Sequence, residues 1–160
     1  GVCNGCQLMG LLKWVPAKFV RNRSKRFESR YSTVKILKSN SIMLSGMKDS
    51  VLGIWVAHGE GQTILQNPDI NLKNSPVRYV NSANEITEYY PDNPNGSKYG
   101  VAAVCSANGR HLAMMPHPER CIMTWQNPYV PVDWKKNKYY PWRLMFYNAY
   151  NWIDNYLRTK

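Results

Sequence analysis

The spacing of apolar residues changes several times along the chain, and each change marks an element. Leu8, Met9, Leu11, Leu12 and Trp14 recur at helical spacing behind Gly5 and stop before Pro16, which predicts a buried helix over residues 5–14. From Phe27 to Leu37, β-branched and aromatic residues alternate with polar ones, and the alternation changes phase near Thr33, as in a bulged or twisted strand. Val51 to Ala57 is a continuous apolar run and predicts a strand buried on both faces. Two further strands are predicted over 77–80 and 86–90, and a hairpin over 101–106 and 111–115, turning at Asn108-Gly109. Residues 126–140 read as a long surface crossover. Beyond Pro141, the spacing of Trp142, Met145, Phe146, Ala149, Ile153 and Tyr156 predicts an amphipathic helix belonging to the core. Strands mixed with helices and no internal repeat indicate an α/β class.

Composition narrows this to one domain. The chain has 160 residues, 44% of them hydrophobic, enough for a real core. No apolar stretch approaches the ~20 residues that span a bilayer, and no signal pattern is present, so the expectation is a soluble cytoplasmic protein with no membrane partner. Twenty-one Lys and Arg against ten Asp and Glu leave a net charge of +11. The densest basic stretch, Arg21 to Arg30, is broken by Asn22, Ser24, Phe27 and Glu28, and the rest is scattered, which favours a solvated or protein-docking face over a nucleic-acid groove. Of the four cysteines, Cys6, Cys105 and Cys121 fit the role of buried small hydrophobes.

The fourth, Cys3, carries chemistry. It sits in Gly1-Val2-Cys3-Asn4-Gly5-Cys6-Gln7, a thiol between glycines just before a helical run, which is the pattern of a nucleophile elbow. The start of a helix favours negative charge on such a thiol. More than a hundred residues later, Pro116-His117-Pro118-Glu119 offers a base held stiff by flanking prolines and a carboxylate able to orient it. The apolar run 51–57 leads directly into His58-Gly59-Glu60-Gly61, a polar loop at a strand end, where ligand sites collect in α/β sheets. Asn93-Pro94-Asn95-Gly96-Ser97 is turn-rich and is assigned no catalytic role. Cys3 and Cys6 also form a Cys-x-x-Cys, so a redox pair, or a zinc site completed by His117 and Cys121, stands as an alternative.

Five motifs in order, namely Gly1 to Gln7, Arg21 to Glu28, Ala57 to Gly61, Asn93 to Ser97 and Met115 to Arg120, resemble the class I glutamine amidotransferase domain of the phosphoribosylformylglycinamidine synthase family. The Trp- and Pro-rich stretch after Arg120 resembles its long single-chain form. The resemblance implies a flavodoxin-like sheet flanked by helices, with residues 1–160 as the C-terminal portion of one domain whose first strands lie upstream, and little activity in these residues alone. It implies Cys3, His117 and Glu119 as catalytic residues, the Asn4 backbone N–H as an oxyanion donor, and Gln7, His58, Gly59 and Glu60 as contacts to glutamine, with no metal site. ATP and magnesium are implied only for a synthetase domain of the same polypeptide, which amidinates formylglycinamide ribonucleotide in purine biosynthesis with the ammonia released here. A cysteine peptidase of the same superfamily is the other enzymatic alternative.

Overall fold

The computed structural model describes residues 1–159. In chain order the elements are α1 (Asn4–Leu11), β1 (Ala17–Val20), β2 (Glu28–Ile36), β3 (Val51–His58), β4 (Gln62–Leu65), the single turn α2 (Pro68–Asn71), β5 (Val77–Tyr79), β6 (Val101–Cys105), β7 (Leu112–Met114) and α3 (Arg143–Arg158). Five strands form one antiparallel sheet in the order β3-β2-β5-β6-β7, while β1 and β4 pair separately. Among the described residues the one parallel pairing is the bridge from Val2 to Met114, which attaches the start of the chain to the far edge of the main sheet.

The main core lies on one face of this sheet. Val34, Ile36, Leu52, Ile54, Val77, Tyr79, Ala103, Leu112 and Met114 close against Trp142 and Met145 from the start of α3. A smaller cluster on the other side joins Cys6 of α1 to Val15, Ala17, Val101, Val104, Ala113 and Met115. The predicted hairpin is β6–β7, with Ser106 and Gly109 closing its turn through backbone hydrogen bonds.

Four readings of the pattern are corrected. Strand β2 contains no phase change. Glu28, Ser32, Val34 and Ile36 all lie on its buried side, and pairing with β3 is unbroken from Glu28–His58 to Lys35–Val51. The apparent shift arises because two inward positions, 28 and 32, are polar. Strand β3 is fully buried on one face only. Its other face is half-covered by the 126–140 segment, where the Trp55 indole donates to the Gln126 carbonyl and the Gly53 N–H donates to the Tyr140 hydroxyl. Residues 86–90 form no strand beyond a single bridge between Val80 and Ile86. Neither end helix is buried along its length, and only the start of α3 enters the core. In α1 only Cys6 is buried, with Leu11 81% exposed and Trp14, beyond the helix end, 50% exposed, and in α3 only Met145 is buried. Helical periodicity reports one apolar stripe and does not say what lies against it.

The pairing of β1 with β4 was not anticipated, because four-residue strands carry too few alternations to stand out. Among the described residues, no helix is long and apolar enough to cross a membrane.

Candidate active site

Cys3 occupies the junction between the Val2–Met114 bridge and α1. Its backbone is bent to φ 50°, ψ −105°, a conformation that L-residues rarely adopt and that persists only where the surroundings enforce it. They do so through three hydrogen bonds. The Cys3 N–H donates to the Met114 carbonyl at 3.0 Å, the Gly5 N–H to the Val2 carbonyl at 2.8 Å, and the Gln7 N–H to the Cys3 carbonyl at 3.1 Å. The tight bend also demands a missing side chain, since a Cβ on Gly1 would lie 2.5 Å from the Gly5 carbonyl oxygen. The elbow thus pushes the thiol out at the helix start, half-buried, with Sγ 3.6 Å from the Ala57 carbonyl at the end of β3. Asn4 is the first residue of α1, where an N–H has no carbonyl one turn earlier to accept it.

His117 reaches the same strand end. Its N–H donates to the Trp55 carbonyl at 2.8 Å, two residues before the carbonyl that faces the Cys3 thiol. Pro118 opens the short 3₁₀ turn Pro118–Arg120, closed by the Arg120 N–H on the His117 carbonyl, and this turn brings Glu119 back onto the ring. The His117 Nδ1 lies 2.7 Å from Glu119 Oε1. Its Nε2 is buried and without a partner among the described residues. One ring nitrogen is therefore held by a carboxylate while the other is open for a reacting proton, the division of labour a general base requires.

The 58–61 loop forms the next wall. Gln7 donates from Nε2 to the Glu60 carbonyl at 2.9 Å, tying α1 to this loop. A cavity of about 510 Å³ opens beside these two residues. Within the loop, Gly59 is half-buried and Glu60 exposed, but His58 is only 2% exposed and its ring lies against Gly61, where a Cβ would come within 2.4 Å of Nδ1. Burial pushes the His58 imidazole down to about 4, so the ring is neutral near pH 7. Both of its nitrogens lack partners among the described residues.

Two supports were missed from sequence. Asn22, buried in the basic stretch, donates from Nδ2 to the His58 carbonyl at 2.7 Å and to the Arg26 carbonyl at 2.9 Å. Its Oδ1 accepts from the Gly61 N–H at 2.9 Å, and its own N–H donates to the Gly59 carbonyl. One carboxamide thus fixes both ends of the loop. The other is the 93–97 turn, where buried Asn95 accepts from the Ser97 N–H and hydroxyl while Ser97 Oγ accepts from the Thr63 N–H at the start of β4. An isolated asparagine between arginines gives no periodic signal. Both supports lie inside motifs that carry the family resemblance, Arg21 to Glu28 and Asn93 to Ser97, but the motifs assigned them no role.

Cys6, Cys105 and Cys121 are buried free thiols. Burial pushes all three up, Cys121 to about 11, which keeps them as unreactive thiols. Among the described residues, no group of three or more His, Cys, Asp or Glu is placed to hold a metal ion.

A strained cysteine at a helix start, a carboxylate-held histidine and a polar loop thus meet at one strand end. The chain belongs to the CobB/CobQ-like glutamine amidotransferase domain family, whose model matches residues 1–153. It is 47% identical over 174 aligned positions to a probable phosphoribosylformylglycinamidine synthase, chloroplastic/mitochondrial, of Arabidopsis thaliana, and 40% identical over 177 to phosphoribosylformylglycinamidine synthase of Homo sapiens. These alignments cover 97% and 95% of this chain but only 12% and 13% of the relatives. Among solved structures, PurLQS from Thermotoga maritima superposes with a TM-score of 0.72 over 96% of this chain and 60% of that one, at 20% identity, a likeness of fold. The α/β amidotransferase fold expected from the motifs is the one observed.

Proposed function

We propose that these residues are the glutaminase part of a phosphoribosylformylglycinamidine synthase. The observation that carries the chemistry is His117, with Nδ1 on Glu119 and Nε2 buried and free at the strand end that also faces the Cys3 thiol.

Cys3 attacks the side-chain amide carbon of glutamine as a thiolate, its proton having passed to His117 Nε2. The amide oxygen gains the negative charge and is met by the Asn4 N–H at the start of α1. Collapse expels ammonia, protonated on departure by His117, and leaves a γ-glutamyl thioester on Cys3. Water, deprotonated by the same imidazole, then releases glutamate and restores the thiol. Glu119 stays ionised throughout and stabilises the imidazolium. Gln7, Gly59 and Glu60 line the approach and suit the amino-acid end of glutamine, while His58 supports the loop from beneath.

The ammonia serves amidination of formylglycinamide ribonucleotide in purine biosynthesis, a step for the rest of the longer polypeptide, to which ATP and magnesium also belong. No step described here passes through them. A cytoplasmic location is part of the same reading, although the Arabidopsis relative carries an organelle label. The test is Cys3→Ala in the full-length protein. Glutamine-dependent synthesis falls to background while synthesis from ammonium salt continues. Equal loss of both activities in a folded variant would refute the reading.

A further inference from the structure

The basic stretch, expected to be a solvated or docking face, forms one wall of a cleft of about 570 Å³. Arg23 and Arg26 line one wall, and Glu88, Tyr89, Tyr90 and Gly96 the other. Neither arginine has an ion-pair partner among the described residues, whereas Arg30 nearby is occupied by Glu28 at 2.6 Å and by the Tyr90 ring. Glu88, the one acidic group in the cleft, is already engaged, accepting the Tyr99 N–H through Oε1 at 2.6 Å. Arg23 is not a loose side chain. Its stem packs over Gly96, where a Cβ would come within 2.5 Å, and its N–H donates to the Asn95 carbonyl. Tyr89 projects with 81% of its surface exposed, and Phe27 stands exposed beside Gly59.

Arginine and tyrosine beside one another on a rigid, wet surface are the residues that anchor protein interfaces, and two unpaired guanidinium groups call for carboxylates. Because the whole chain carries +11, the complementary surface is acidic. This region fills only 12–13% of the length of the relatives, so most of their chain is available to meet it in cis. The cleft is also wired to the active site. Asn22, which holds His58 and Gly61, holds the Arg26 carbonyl with the same amide nitrogen.

We propose that the Arg23–Arg26/Tyr89–Tyr90 cleft docks an acidic surface of the longer polypeptide, and that Asn22 transmits the state of this contact to the 58–61 loop. This deepens the glutaminase reading, and its transmission half rests on that reading. A tight contact holds the Arg23–Arg26 backbone in place, which keeps the Asn22 carboxamide bonded to the 58–61 loop and with it the wall proposed to face glutamine.

The test uses the full-length protein with p-benzoylphenylalanine at position 89, an exposed site that tolerates the change. Irradiation is expected to give an intramolecular adduct with an Asp/Glu-rich segment outside these residues, reduced at least about tenfold by Arg23→Glu/Arg26→Glu, since losing two charged contacts removes more than the 1.4 kcal/mol that a factor of ten requires. An adduct on a neutral or basic segment, no adduct, an adduct indifferent to the charge reversal, or displacement of the adduct by ATP would overturn docking by an acidic protein surface. In the same double variant without the probe, the KM for glutamine is expected to rise at least about fivefold with ammonia-dependent turnover unchanged, the lower end of ordinary coupling between sites. An unchanged KM would overturn transmission through Asn22. The adduct forms without turnover, so its outcome is independent of Cys3→Ala.

Discussion

The two ends of the β2–β3 ladder are built from one continuous hydrogen-bonded register and yet hold opposite contents. At one end Val34 and Ile36 of β2 and Leu52 and Ile54 of β3 are buried among other apolar side chains. At the other, Glu28 faces His58 across the strands, both almost completely buried, with Glu28 Oε1 and both His58 nitrogens unpartnered among the described residues. Buried polar atoms without partners cost ~1–3 kcal/mol each, and apolar groups of the same size there would be more stable. The sheet therefore concentrates its stability at the Ile36–Leu52 end and spends part of it at the end that carries Cys3, His117 and the 58–61 loop.

The largest expected effect lies at the costly end and is chemical. In the full-length protein, His117→Ala should cut glutamine hydrolysis by about 10⁴-fold or more, close to the loss in Cys3→Ala, because members of a catalytic unit do not contribute additively. Glu119→Gln keeps the shape but loses the charge on Nδ1 and should fall short of that loss. Thermal unfolding of both variants should stay near that of the parent, and an unfolding temperature that drops in step with activity would place these residues in the framework instead.

The opposite end should behave in the reverse way. Ile54→Ala removes a fully buried side chain from the main core and should destabilise by about 2–5 kcal/mol, read by denaturant unfolding, while each folded molecule retains its glutamine turnover. If turnover per folded molecule falls with stability, the two ends of the ladder are not separable.

A smaller effect tests the cost of His58. Its folded-state value is lowered from 6.5 to about 4, so the unfolded chain binds a proton between these values that the folded chain does not. Stability from this group is complete above pH 6.5 and is lost as pH falls toward 4, by about 1.4 kcal/mol per unit in that window. The slope of unfolding free energy against pH should flatten by that amount in His58→Gln. An unaltered slope would mean that the imidazole is not held neutral.

The two ends differ equally in how well sequence alone conveyed them. Cys3, His117 and Glu119 were legible because each belongs to a short local pattern, a bend before a helix or a proline-stiffened turn, whose chemistry travels with its neighbours in the chain. The β6–β7 hairpin was legible for the same reason. The phase of β2 was misread because alternation was taken as apolar-inward, a rule that fails at Glu28 and Ser32, which are polar and yet buried. The role of Asn22 was invisible because the three partners of its carboxamide, Arg26, His58 and Gly61, meet only after β2 and β3 have paired. The exposure of Leu11, Trp14 and the α3 stripe was likewise beyond reach, since periodicity defines a face and not its cover.

Sequence by itself therefore determined the local bends proposed to present the reacting groups: the turn at Cys3 and the 3₁₀ turn that folds Glu119 onto His117 involve residues within a few positions of one another. The meeting of those groups at the end of β3 was decided by the tertiary structure, through the Met114 carbonyl on Cys3, the Trp55 carbonyl on His117 and the Ala57 carbonyl beside the thiol. Those contacts join positions 54 to more than 110 residues apart, and backbone hydrogen bonds over such distances follow from strand register, which is fixed by the whole core and by no local segment.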